Sequence, residues 1–515
     1  MKNTRKGHFE PRGKLPGFLL KSSVWICILM ACSATGQASD RPNILYIFTD
    51  DQSIRTVSAY PESHGWVHTP NIDRLANSGI RFTSCYTGAW CQPSRATVLT
   101  GLLQHRMESL QVTRYPLCAY DSVALPFFPR VFRKHGYRTA CIGKWHLGED
   151  VGAGRDWDYS VIWDRGGPQS NSHAYYENQL VRINGGERRP LGGYSTDRYT
   201  DLAVDYIREI KKEDRPWFLW LCYSGVHGPY TEAERHQDRY SDAPETEIPV
   251  DIFGPRPTKP DFLRDLTRWE KDENGKPAWF DESVKKYHRA VAALDEGVGR
   301  IMQAMEETGQ MENTLVVFTS DQGFAWGQHG CREKWLPYDA NIVAPLIFSW
   351  QGKIVGGQVC NEPVNGADIT RTFHTLTGIK PMWEMDGRDL KDLLNNPAGK
   401  LASPMLMINT IYVYGGDELL TVLKQDDAVK LVRNDVWAWI MMREGKYKYI
   451  RYMRKECIEE LYDMEKDPDE LTNLAVDPAY SELLLRMRKQ TASEFRKRDG
   501  EFINYLPVPA EQNFQ

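Results

Sequence analysis

Short hydrophobic runs, rich in β-branched and aromatic residues, recur at 44–48, 139–142, 217–223, 314–318 and 345–350. They do not alternate with polar positions, so each reads as a strand buried on both faces. Segments 69–78 and 281–308 have helical spacing instead. In the second, Val284, Tyr287, Val291, Leu294, Val298 and Ile301 fall three or four apart, and Gly309 follows as a stop. Strands alternating with helices predict an α/β fold, a large and mostly parallel sheet flanked by helices.

After about residue 398 the pattern changes. Runs 436–442 and 446–452 flank Arg443-Glu444-Gly445 as a hairpin would, Glu460-Leu461-Tyr462-Asp463 follows, and an amphipathic helix is expected over 480–498. This predicts a smaller C-terminal α+β domain built on an antiparallel sheet. Two other stretches lack clear periodicity. Residues 152–194, rich in Gly, Asn, Trp and Tyr, read as a long loop whose aromatics would stack on sugar rings, and the proline-rich 246–277 reads as external packing.

The N-terminus changes the domain count. Lys2, Arg5, Lys6, Arg12, Lys14 and Lys21 precede an apolar run at 24–34, too short to span a bilayer. The expected organisation is a signal peptide at 1–38, a catalytic domain at 39–398 and a C-terminal subdomain at 399–515. Export to the periplasm or the medium follows, and Leu29-Met30-Ala31-Cys32 offers an alternative, lipid anchoring at Cys32. The formal charge of -5 carries no basic excess, so no nucleic-acid partner is expected. Eight scattered cysteines lie beyond Ser39, without zinc or disulfide spacing. Setting Cys91 aside leaves an odd number, so another thiol should be free or bonded between chains.

Side chains at the carboxyl ends of strands carry function in open α/β sheets. Asp50-Asp51-Gln52 follows the first run and Asp321-Gln322-Gly323 the fourth. Hard oxygen ligands from two strand ends suit calcium or magnesium better than zinc. Alone, each cluster is more often a helix cap or a turn than a metal site.

Cys91-Gln92-Pro93-Ser94-Arg95-Ala96-Thr97-Val98-Leu99-Thr100-Gly101 resembles the signature of type I sulfatases, within the alkaline-phosphatase-like superfamily. The resemblance implies a sulfuric ester hydrolase in which a dedicated maturation enzyme oxidises Cys91 to formylglycine. In its hydrate, one hydroxyl attacks the sulfate sulfur, and deprotonation of the other releases sulfate and restores the aldehyde. Carried over residue by residue, the resemblance implies Asp50, Asp51, Asp321, Gln322 and the modified Cys91 as ligands of one calcium, with magnesium second. Gln322 departs from the usual Asn or His.

By the same resemblance Arg95 holds the hydrated aldehyde. In Gly143-Lys144-Trp145-His146, Lys144 would contact a sulfate oxygen and the nucleophile, and His146 would take the second hydroxyl's proton. His227 and Lys334 would contact sulfate, and His227 is the expected proton donor to the leaving oxygen. The stretch Tyr338-Asp339-Ala340-Asn341-Ile342-Val343 departs from the family by placing Val343 where an arginine is usual, which bears on specificity. A sulfated saccharide, more than a small aryl or choline ester, is the expected substrate. Two alternatives stand beside this reading: a phosphomonoester or phosphonate monoester hydrolase of the same superfamily, and an inactive glycan-binding protein with Cys91 unmodified.

Overall fold

The structure, a computed structural model, describes residues 41–510. The predicted signal peptide, with Cys32, lies outside the described residues. An eleven-stranded mixed sheet organises the chain. From one edge its strands are Gln358–Cys360, Gly79–Tyr86, Ala344–Ser349, Thr314–Ser320, Asn43–Thr49, Trp217–Cys222, Arg138–Lys144, Tyr159–Trp163, Leu180–Ile183 and Arg188–Pro190, and Val364–Asn365 also pairs with Gly79–Tyr86. The five central strands, Thr314–Ser320 through Tyr159–Trp163, run parallel. Antiparallel pairs lie on either side of them.

Uniform hydrophobicity in the central strands arises because both faces are covered. In the first strand Leu45 and Ile47 pack under helices Ser195–Ile210 and Phe280–Glu307, among Tyr199, Leu294, Val298 and Ile301. Ile44, Tyr46 and Phe48 face the other way, among Val98 and Leu99 of helix Cys91–Thr100 and Phe373 of helix Gly366–Thr377. Each strand therefore feeds two cores, and polar substitution on either face would bury an unpaired group.

Register fixes where the chemistry collects. Thr49 lies opposite Ser320, and Phe48 opposite Cys222, which in turn lies opposite Gly143. Asp50, Asp321 and Lys144 thus reach one sheet edge at one level. Gly143 has φ +111°, and a Cβ there would overlap the Cys222 carbonyl oxygen, so only glycine lets this strand end so close to its neighbour.

The C-terminal region forms a four-stranded antiparallel sheet, Met405–Asn409, Trp439–Glu444, Tyr447–Tyr452 and Glu460–Asp463, with helix Ser481–Arg496 packed against it. One expectation is overturned. Residues 152–194 are not a loop: they supply Tyr159–Trp163, Leu180–Ile183 and Arg188–Pro190 to the main sheet. Their aromatics Trp157, Trp163, Tyr175 and Tyr176 are buried, so glycines and asparagines here mark tight turns between short strands, not an open excursion. Within 246–277, too, Lys259, Leu263 and Trp269 are buried. All eight described cysteines are free thiols.

Candidate active site

Cys91 is the first residue of a wholly buried helix, Cys91–Thr100. Its thiol therefore sits at a helix N-terminus, where unpaired N–H groups and the helix dipole favour negative charge. Asp50 Oδ1 is 3.3 Å from Cys91 Sγ, Lys334 Nζ 3.1 Å and Gln322 Nε2 3.7 Å. One oxygen from each of Asp50, Asp51 and Asp321 and the Cys91 sulfur lie within 4.8 Å of one another. The thiol stands at the point where these side chains converge.

Three cations face the three carboxylates. Lys144 Nζ donates to Asp50; Lys334 Nζ donates to Asp51 at 2.6 and 2.8 Å; Arg95 donates to Asp321 at 3.0 Å and to the Lys144 carbonyl at 2.7 Å. Burial alone would raise the Asp50 pKa, but Lys144, His227, Arg95 and Lys334 together hold it well below the usual carboxylate range. Burial, then the Asp50 charge, raise Asp321 to about 7. Burial, then Asp321 and Asp50, push the Cys91 thiol up to about 12. As encoded, Cys91 is protonated at neutral pH and a poor nucleophile.

His227 lies in the loop that follows the neighbouring strand, Trp217–Cys222. Its ring stacks on Tyr175 at 3.9 Å, Nδ1 donates to the Gly228 carbonyl at 2.9 Å, and Nε2 lies 3.6 Å from Asp51 Oδ2. Burial, then the Lys334 ammonium, lower its pKa well below the ordinary value, and Asp50 partly restores it. Backbone at positive φ at Asp51, His146, Glu333 and Trp335 gathers at this site, where strain is maintained by the surrounding packing.

His146 is engaged by an arginine. Its Nε2 accepts from Arg165 at 2.9 Å, and burial, then the Arg165 charge, keep the ring neutral. Sequence reasoning gave Arg165 no role. It lies 19 residues from His146 in a stretch read as loop, and only its buried position with φ 63° reveals it. Gln322 adjoins the cluster through Nε2, which donates to Asp51, while its Oε1 lies 3.5 Å from Ser94 Oγ. A half-turn of the amide would present oxygen to the cluster instead.

The donor set fits a hard dication, because three carboxylates and an amide converge on one point and no imidazole or second thiol joins them among the described residues. The Sulfatase family profile matches residues 42–379. The chain belongs to the sulfatase family. A second profile, described as N-sulphoglucosamine sulphohydrolase, C-terminal, matches residues 432–497. This sulfatase is 25% identical to the N-acetylglucosamine-6-O-sulfatase of Bacteroides thetaiotaomicron, over 94% of this chain and 92% of that protein. A protein solved with its substrate D-glucosamine-2-N,6-O-disulfate shares the fold with TM-score 0.73, 23% identity, and coverage of 89% and 99%. The phosphonate monoester hydrolase of Agrobacterium radiobacter also shares it, with TM-score 0.65 and 23% identity over 89% of this chain and 96% of that one. The chain is a sulfuric ester hydrolase. No described helix is long and apolar enough to cross a membrane.

Proposed function

We propose that this sulfatase hydrolyses sulfate esters of saccharides at the Cys91 cluster. The observation that carries this reading is the convergence of Asp50, Asp51, Asp321 and Cys91 within 4.8 Å at the head of a buried helix. Relatives named for sulfated hexosamine and ulvan support the saccharide class.

Formylglycine made from Cys91 would supply, as its hydrate, an oxygen nucleophile in place of a protonated thiol. Asp50, Asp51, Asp321 and the Gln322 oxygen would hold calcium, which supplies a hard positive charge for substrate oxygens. With all groups charged, the three carboxylates and three cations of the cluster cancel; a dication would leave two positive charges in excess, matching the sulfate dianion released.

The chain's own groups then divide the remaining work. Arg95, fixed by Asp321 and the Lys144 carbonyl, orients the Cys91 side chain with a charge that does not titrate. Lys144 and Lys334 stabilise negative charge developing on sulfate oxygens. His146, kept neutral by burial and Arg165, is the base: its Nε2 exchanges the Arg165 N–H for a proton of the Cys91-derived diol. With Nδ1–H on Gly228, His227 presents Nε2 to the leaving oxygen. Protonated there, it donates to that oxygen; burial and Lys334 oppose the charged form, so the proton is readily given up.

We further propose a catalytic domain at 39–398 and a subdomain at 399–515, supported by the antiparallel sheet that begins at Met405. Export rests on the basic and apolar pattern before residue 39.

The test is a panel of monosulfated saccharides and aryl sulfates run beside matched phosphate and phosphonate monoesters. Calcium-dependent turnover of a sulfated saccharide is expected. A preference for the phosphorus esters would overturn the assignment.

A further inference from the structure

A group of aromatic rings borders the nucleophile without a task in this chemistry. Trp90, next to Cys91, stacks on Trp335 with centroids 4.6 Å apart, and Tyr412 meets Trp90 edge-on at 5.4 Å. Tyr115, 43% exposed, lies 6.1 Å from the His146 ring and 6.1 Å from Tyr412. These rings reach from the catalytic histidine toward solvent.

Arg433 lies over them. Its Cζ is 4.7 Å from the centre of Tyr412, 4.9 Å from Tyr115 and 5.1 Å from Trp335. Among the described residues its side chain makes no hydrogen bond and no ion pair, and its Nε is buried without a partner, as are Tyr412 Oη and Trp90 Nε1. Other arginines of this region are paired: Arg443 bonds Tyr86 and Asp339, and Arg488 bonds Glu459. Arg165, on Tyr115 at 5.8 Å, also lacks a carboxylate and spends its donors on the Ser172 carbonyl and His146.

A guanidinium packed on three rings keeps its in-plane N–H groups for another acceptor. That fork matches two oxygens of a sulfate or carboxylate. A buried donor left unpaired is costly, so the arrangement is that of a site completed by ligand. The rings beneath offer an apolar face at the right place for the sugar that bears the scissile ester.

We propose that Arg433, with Tyr115, Trp335 and Tyr412, forms a subsite for a second oxyanion of the substrate, a further sulfate or a carboxylate. The preferred substrate is therefore a saccharide with at least two anionic groups. This rests on the reading of the chain as a saccharide sulfatase and narrows its substrate class.

The experiment compares three probes on matured enzyme and on Arg433→Ala and Arg433→Lys: a hexosamine 6-sulfate, the same sugar with a second, N-linked sulfate, and the same sugar joined to a uronate. Wild type should turn over one of the doubly anionic probes with kcat/KM at least tenfold above the monosulfated one. Arg433→Ala should collapse that ratio to within twofold of unity, and Arg433→Lys should restore part of it. Which doubly anionic probe benefits identifies sulfate or carboxylate as the ligand. Calorimetric titration of Cys91→Ala and of Cys91→Ala/Arg433→Ala with the same probes reads binding without turnover. A wild-type ratio near one, or a ratio and binding preference that survive Arg433→Ala in protein with an unchanged melting temperature, would overturn the subsite. Absence of sulfatase turnover on all probes, with the binding preference intact in Cys91→Ala, would instead overturn the proposed function and leave the subsite standing.

Discussion

Two of the buried ionic clusters among the described residues, at Cys91 and at Glu460, are built to opposite ends. Around Glu460 every group has a fixed partner. Its Oε1 accepts from Tyr338 at 3.0 Å and Tyr452 at 2.8 Å; its Oε2 accepts from Tyr338 at 2.9 Å and from Tyr462; and Lys259 Nζ lies 3.4 Å away, bonded to Tyr462 Oη at 2.6 Å. Lys259 also sits 3.8 Å over the Tyr338 ring. This closed network ties the 246–277 stretch to the C-terminal sheet. At Cys91, by contrast, three carboxylates are crowded onto one point and held by amines and an amide that a cation and a sulfate could replace. Full satisfaction makes one cluster a fastener, and crowding makes the other a site.

The sharpest way to break this contrast is substitution at each centre. Cys91→Ala should lower turnover by about 10⁴-fold or more and leave the melting temperature nearly unchanged. Lys259→Met should do the reverse, costing about 3–5 kcal/mol in denaturant unfolding because it strands a buried carboxylate, while kcat per folded molecule is preserved. Loss of activity in both, at equal stability, would erase the distinction.

Cation removal comes next. Chelation should silence the enzyme, and calcium at a hundred times its dissociation constant should add about 2.7 kcal/mol of stability, read as a rise in melting temperature. The Glu460 network should not respond, so calcium should leave the Lys259→Met deficit in place.

Proton donation is tested by leaving group. His227→Ala should slow esters of poor leaving groups by about 10²–10⁴-fold and 4-nitrophenyl sulfate far less. An equal loss on both would move the donor role to Lys334.

A pH-dependent effect belongs to histidines outside either cluster. Burial lowers His288 and His374 to about 4, each with Nδ1 on a backbone carbonyl. Because the folded pKa lies below the unfolded value, their contribution is complete above about pH 6.5 and is lost as pH falls toward about 4. Each should cost about 1.4 kcal/mol per pH unit in that window, and His374→Gln should flatten the stability profile accordingly.

Much of the Cys91 cluster was legible because many of its members stand beside strand ends that hydrophobicity alone reveals. Asp50 and Asp51 follow 44–48, Lys144 and His146 follow 139–142, His227 follows 217–223, and Asp321 follows 314–318. The parallel register then levels them. The Glu460 network was not legible as a network. Lys259 and Glu460 are 201 residues apart, tyrosines are ordinary core residues, and no local pattern says they meet. Arg165 was hidden for a related reason: short strands at a sheet edge, interrupted by glycine and asparagine, have too few residues for period-two alternation to show.

We propose that Cys91 is a precursor and that the nucleophile is made from it. Intact mass of the Cys91 peptide, from protein expressed in its native host, tests this most directly. Conversion predicts a mass about 18 Da below that of the encoded peptide, with activity proportional to the converted fraction. Full activity in protein whose Cys91 peptide keeps its encoded mass would contradict it.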